Sequence, residues 1–278
     1  MTKIFVAGAV FCALVAPAVA ADMPIAAPVP APVGYDWTGL YVGAHAGWEY
    51  AETQGSTILL GLGDNLTGPT DQKMNGWLGG AQLGYNHQFQ RVVLGLELSG
   101  SWDDVRNLAN GASTTSITRL TSAACFQSFA LGAVGAPITS SVSCNAKENW
   151  TAQALARIGY TFGNGRFLPY LSAGAAVTRL NIANTLTVVP SAVVLNQQDT
   201  WGANRNLVGA VLGGGAQYAV GNGFSIGVEY LYAVYDTKDF SSMASTTVNG
   251  VPGNPVPLVN NHDLTTQTVR LVGNYKFD

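Results

Sequence analysis

Charge is scarce in this chain: Asp, Glu, Lys and Arg make up 10% of its 278 residues, against ~25% in an ordinary soluble domain. No stretch is rich in Lys and Arg, which argues against a nucleic-acid partner. Cysteine and histidine are equally sparse, three of each. His45, His87 and His262 are scattered without metal-ligand spacing or a nucleophile motif beside them, so neither a metal centre nor a hydrolase set can be assembled from them. Long apolar runs are also missing. The longest, Ile4 to Val15, falls short of the ~20 residues a membrane helix needs. What the chain has instead is 33 glycines and a positive mean hydropathy of +0.19, spread over many short segments.

The N-terminus reads as an export signal. Lys3 precedes the apolar run, and Ala18-Val19-Ala20 is a small-x-small motif of the type signal peptidase cuts, so residues 1–20 are expected to be removed after Ala20. Loss of Lys3 moves the formal net charge from −3 to −4. Cys12 leaves with the signal, within the apolar run rather than after a lipobox. Cys125 and Cys144 remain in an exported chain, where thiols pair. A Cys125–Cys144 disulfide would contribute ~3 kcal/mol by loop closure and protect an exposed loop. Residues 21–36, with Pro24, Pro28, Pro30 and Pro32, suit an extended periplasmic tether.

From Trp37 to Phe277 the chain shows eight segments of period-two alternation, at about 37–50, 75–89, 92–102, 150–162, 167–179, 207–220, 224–232 and 264–277. Leu40, Val42, Ala44, Ala46 and Trp48 share one face of the first, and Tyr41, His45 and Glu49 the other. Residues 90–91, 163–166 and 221–223 read as tight turns, the last two carrying Gly-Asn-Gly. The connections 51–74, 103–149, 180–206 and 233–263 read as long. Short turns alternating with long loops mark an all-β, eight-stranded antiparallel up-and-down transmembrane barrel with turns in the periplasm and loops outside, over residues 37–278. Aromatics collect at segment ends: Trp48, Trp77, Trp102, Trp150 and Tyr232 toward the loops, and Phe89, Phe162, Tyr218, Phe224, Tyr275 and Phe277 toward the turns. These are two interfacial girdles. A soluble barrel or sandwich would also alternate; the signal, the girdles and the loop asymmetry together favour a barrel in lipid, hence the Gram-negative outer membrane.

Asp36-Trp37-Thr38-Gly39-Leu40-Tyr41-Val42-Gly43 resembles the opening of the small alphaproteobacterial outer-membrane proteins with OmpA-like barrels. Residues 227–232 resemble their second-to-last strand and residues 269–277 their closing strand. The resemblance implies an abundant surface protein of the porin family, some of whose members are described as porins or haem binders. Phe277 would be the aromatic read by the barrel-assembly machinery, although Asp278 follows it, and the 103–149 connection is longer than the family pattern.

Four charged residues fall on inward positions: Glu97, Arg157, Glu229 and Arg270. In a lumen just wide enough for side chains, they read as a salt-bridged plug, with a gate for small ions as the alternative. His45 and Glu49 share an inward face and read as polar filling. Gly61-Leu62-Gly63 lacks the rest of a dinucleotide fingerprint, and no cofactor or enzymatic activity is expected. Function then falls to envelope integrity and loop-borne interaction, with outer-membrane lipid and lipopolysaccharide, the assembly machinery and an extracellular ligand or host surface as partners. A narrow porin and a haem-binding surface are the alternatives.

Overall fold

A computed structural model describes residues 34–59, 66–69, 72–115, 138–190, 197–236, 240–253 and 256–277. The export segment, most of the tether and Cys125 lie outside these residues. The backbone of Cys144 pairs with Ala109 and Asn184, but the disulfide itself lies outside the described residues. So does Gly61-Leu62-Gly63.

The described residues form eleven strands: β1 (Gly39–Leu59), β2 (Leu66–Pro69), β3 (Gln72–Phe89), β4 (Val92–Thr115), β5 (Ile138–Tyr160), β6 (Phe167–Pro190), β7 (Gln197–Gly221), β8 (Phe224–Asp236), β9 (Phe240–Val248), β10 (Val251–Pro252) and β11 (Val256–Lys276). Eight of them, β1, β3, β4, β5, β6, β7, β8 and β11, pair antiparallel in chain order, and β11 returns to β1 to close the barrel. That seam runs from Tyr41 opposite Lys276 to Leu59 opposite Leu258. Closure leaves no free edge, the condition for strands to sit in hydrocarbon. The short strands β2, β9 and β10 attach at the loop end.

The turns fall where the sequence places them. Gln90 holds φ 56°, Gly163, Asn164 and Gly165 hold 53°, 57° and 79°, and Asn222 and Gly223 hold 51° and 78°. The left-handed region is the one Gly and Asn enter at least cost.

One expectation is corrected. The segments 51–74, 103–149, 180–206 and 233–263, read as connections, are in large part strand. β4, β5, β6 and β7 run 24, 23, 24 and 25 residues, more than twice the ~9–11 that cross a bilayer. Beyond the girdle both faces of these strands can be polar, so period two fades from the sequence while the backbone ladder continues. Gly213-Gly214-Gly215 lies within β7, which passes through it unbroken. A Cβ on Gly215 would stand 2.8 Å from the Tyr170 hydroxyl, so glycine there makes room for a lumen side chain.

The two faces sort as alternation requires. Leu94, Leu96, Leu98, Leu171, Leu212, Ile226 and Leu271 are exposed on the outside, and all girdle aromatics except Trp150 are exposed with them. Trp150 is half-buried beside a bulge. Glu97, Arg157, Glu229 and Arg270 are buried inside.

Candidate functional site

The lumen is filled in layers, and the central one is ionic. Glu229 and Arg270 are direct cross-strand partners on β8 and β11, with Arg270 Nε donating to Glu229 Oε2 at 2.6 Å. On β4 and β5, Arg157 Nη2 donates to Glu97 Oε1 at 2.6 Å. These pairs also join across the barrel: Arg157 Nη2 reaches Glu229 Oε1 at 3.1 Å and Arg270 Nη2 reaches Glu97 Oε1 at 3.2 Å. All four side chains are at most 6% exposed. The result is one alternating quartet of two acids and two bases. Tyr41 completes it, donating to Glu97 Oε2 at 2.8 Å and accepting from Arg157 Nη1 at 3.2 Å. The Arg157 guanidinium also lies 4.7 Å from the centre of the Tyr170 ring, within cation–π range.

Glycines supply the space. Gly47 faces Arg270 across the seam, and a Cβ there would stand 2.8 Å from both Cα and Cβ of Arg270. Gly84 lies under the Tyr41 ring in the same way.

Toward the turns, residues 35–37 fold across the barrel mouth. Trp37 is 3% exposed and packs with Tyr35, Val93, Leu168, Tyr170 and Ala219. Its indole N–H donates to Gly165 O at 2.6 Å and its backbone N–H to Gln88 Oε1 at 2.9 Å. Tyr35 N–H donates to Asn164 O at 3.0 Å. Trp37, read as the first strand residue, is therefore a cork, and the last tether residues lie against the 163–165 turn.

Toward the loops, His45 bonds Gln82 Oε1 through Nδ1 and Ser101 Oγ through Nε2, both at 2.9 Å. Gln82 Nε2 donates to Asn274 Oδ1 at 2.6 Å, which turns Oε1 toward the ring and makes Nδ1 the protonated nitrogen. His45 and Glu49, the one shared-face pair the sequence offers for chemistry, bond different partners. Thr268 donates to Glu49 Oε2 at 2.6 Å. His87 is exposed on the outside, edge to face with Phe89 at 4.2 Å, and the side chain of His262 lies outside the described residues.

One feature escapes sequence reading. Strict alternation from Trp150 puts Glu148 on the lipid face. A bulge at Asn149 and Trp150, opposite Arg179, turns Glu148 inward, where it is fully buried. It joins Glu49 and Asp103. Thr151 Oγ1 lies 2.8 Å from Asp103 Oδ2 and 3.0 Å from Glu148 Oε1, and Thr178 donates to Glu148. Glu49 Oε1, Asp103 Oδ1 and Glu148 Oε2 bond no hydrogen-bond donor. One inward step further, Ala51, Met74, Val105, Ala146, Leu180 and Leu264 form an apolar lid. Among the described residues no group of His, Cys, Asp or Glu has the arrangement to hold a metal ion. Enclosing three carboxyls together opposes folding, first because burial strips them of water and then because they stand close to one another. Glu148→Gln, which keeps an acceptor for Thr178, is expected to stabilise the barrel by about 1 kcal/mol in urea unfolding; a lower midpoint would mean that the acid is required.

The outer membrane protein beta-barrel domain family matches residues 18–277. The chain is 30% identical over 267 residues to the 31 kDa outer-membrane immunogenic protein of Brucella melitensis, covering 94% of this chain and 93% of that one. It is 23% identical over 265 residues to the 25 kDa outer-membrane immunogenic protein of Brucella canis, with 95% and 91% covered. Among solved structures it is similar to the outer membrane protein OprG of Pseudomonas aeruginosa, at 12% identity and a TM-score of 0.38 over 88% of this chain and 99% of that one. A closed eight-stranded barrel with an apolar outer band, matched by this family along nearly its whole length, belongs to the outer-membrane β-barrel proteins and is a protein of the outer membrane.

Proposed function

We propose that this barrel is a sealed structural scaffold that supports envelope integrity and presents its loop end for interaction outside the cell. The observation that carries the reading is the Glu97–Arg157–Glu229–Arg270 quartet, which occupies the lumen with each charge neutralised. An ion path would need water or unpaired charge along it. The Trp37 cork and the apolar lid reinforce the quartet from either side. The relatives are named immunogenic proteins, which accords with loops displayed at a surface, and loops on a rigid scaffold commonly carry recognition. The reading assigns no catalytic role.

It includes removal of residues 1–20 after Ala20, a Cys125–Cys144 disulfide in the 103–149 region, and recognition of Phe277 by the assembly machinery. Phe277 N–H donates to Leu40 O at 2.8 Å, so this aromatic also fastens the closing strand to the first. Intact-mass measurement of protein from an oxidising compartment checks the first two, by the mass of the mature chain and the loss of two hydrogens.

The decisive test is planar-bilayer conductance of refolded protein, with Glu97→Gln and Arg270→Gln variants alongside. The native barrel is expected to be silent. Stable current steps that these substitutions alter would replace this reading with the narrow porin. Deletion of the gene is expected to raise detergent sensitivity, and an unchanged envelope would count against the scaffold role.

A further inference from the structure

Above the aromatic girdle, the outward charges of the barrel segregate. Trp102 is 76% exposed and points to lipid. The next outward positions on β4 are Asp104 and Arg106, and Arg106 stands directly opposite Lys147 on β5. Lys147 is opposite Asn181 on β6, and Arg179 is the next outward residue of that strand toward the girdle. Like charges placed directly opposite destabilise a strand pair, yet here one carboxylate serves two bases. Asp104 bonds Arg106 and lies 3.7 Å from Lys147 Nζ. Arg179 is held by a neutral partner, donating from Nε to Asn204 Oδ1 at 2.9 Å. Arg106, Lys147 and Asp104 are 51%, 43% and 59% exposed, so the cluster is open to the surroundings. On the other side of the barrel the outward charged residues at this end are Asp236 on β8, Asp263 on β11 and Glu52 on β1, the last directly opposite Lys73 on β3.

Beneath the basic cluster, on the same strands, the lipid face is hollow. Gly100, Ala152, Ala154, Ala156 and Ala173 stand where neighbouring positions carry Leu. A depression of about 560 Å³ opens there, lined by Leu96 and Leu98 on β4, Ala154 and Ala156 on β5 and Ala173 on β6, and it extends past Leu83 on β3 to Leu40 on β1. Leu98 lies four residues below Trp102, about 10 Å along the membrane normal for a strand tilted near 40°. An acyl chain whose headgroup sits at the girdle reaches that depth.

We propose that β4, β5 and β6 form a binding site for the phosphorylated acyl glycolipid of the outer leaflet, lipid A. Arg106, Lys147 and Arg179 take its phosphates and the hollow below takes an acyl chain. Arginine and lysine at headgroup level match phosphate in charge and donor geometry, and the acidic opposite face restricts such lipid to one side. The inference rests on the loop end facing outward, as the scaffold reading has it. It also gives that reading a means, because a barrel that fixes lipid A on one flank stiffens the leaflet around it.

The test is refolded full-length protein in phosphatidylcholine nanodiscs doped with lipid A, dephosphorylated lipid A or phosphatidylglycerol, with lipid retention read by native mass spectrometry. Lipid A is expected to be retained about tenfold more than either comparator. The triple variant Arg106→Gln, Lys147→Gln, Arg179→Gln should lose that excess. Arg91→Gln with Arg166→Gln, at the turn end, should keep it. Ala154→Leu with Ala156→Leu fills the hollow and should lower retention severalfold. Each variant is first shown to be folded by its heat-modifiable gel mobility. Equal retention by the triple variant, or equal retention of dephosphorylated lipid, would overturn the site. Equal retention of phosphatidylglycerol would reduce it to a general anionic surface and overturn the lipid A assignment. If lipid A binds as expected while gene deletion leaves the envelope unchanged, the scaffold role fails and the site stands.

Discussion

Arg270→Ala is expected to destabilise the folded barrel by about 3–5 kcal/mol, the cost of removing one partner from a buried ion network. Arg270 is 1% exposed and bonds both Glu229 and Glu97. Its loss leaves two carboxylates to share Arg157, whose Nε has no partner. Neither acid can move to water, because the Trp37 layer closes one end and the apolar lid the other. Urea unfolding in detergent micelles, followed by tryptophan fluorescence and gel mobility, measures the change. Adding Glu229→Ala restores the charge balance, so the double variant should lose clearly less than the two single variants summed. Additive losses, or a single-variant loss below about 1 kcal/mol, would show that the four residues act separately and that the quartet does not hold the lumen together.

Trp37→Ala is expected to cost a comparable amount, about 3–5 kcal/mol, the range for deleting a buried tryptophan. Beyond its packing with Leu168 and Ala219, the indole N–H satisfies Gly165 O in a turn that Tyr35 also clamps. Loss of the ring opens the turn end of the lumen as far as the quartet and no further. Conductance should therefore stay absent while access changes. Ala219 is fully buried behind Trp37, so a thiol placed there by Ala219→Cys should react slowly with a maleimide in the native background and many times faster with Trp37→Ala. Unchanged labelling would mean that neighbouring side chains, and not Trp37, close this end.

Much of the architecture was legible because it is local. Alternation is written residue by residue, so Leu94, Leu96 and Leu98 against Glu97 and Ser99 announce two faces without any knowledge of the partner strand. The turns at 163–165 and 221–223 are equally local, since Gly and Asn supply the positive φ on the spot. The strand extensions were hidden because the signal used to find strands is an apolar face, and beyond the girdle no face need be apolar. Glu148, inside the segment read as the 103–149 connection, was hidden for a related reason: a single extra residue at a bulge reverses every side chain beyond it, and nothing in Asn149-Trp150 marks the position.

The site divides along the same line. That Glu97, Arg157, Glu229 and Arg270 point inward follows from parity. That Glu97 and Glu229 each bridge both arginines depends on how far the strands are staggered when the sheet closes, a property of all eight together. Trp37 as a cork, Glu148 among the enclosed acids, and Arg106, Lys147 and Arg179 as one basic flank likewise depend on register between segments tens of residues apart. The sequence by itself determined a barrel in the outer membrane, its two faces and its tight turns, because period two and turn chemistry act over a few residues. Which charges meet, what seals each end and where the outer surface is basic were decided only by the tertiary structure, because strand register and closure are set by the whole ring at once.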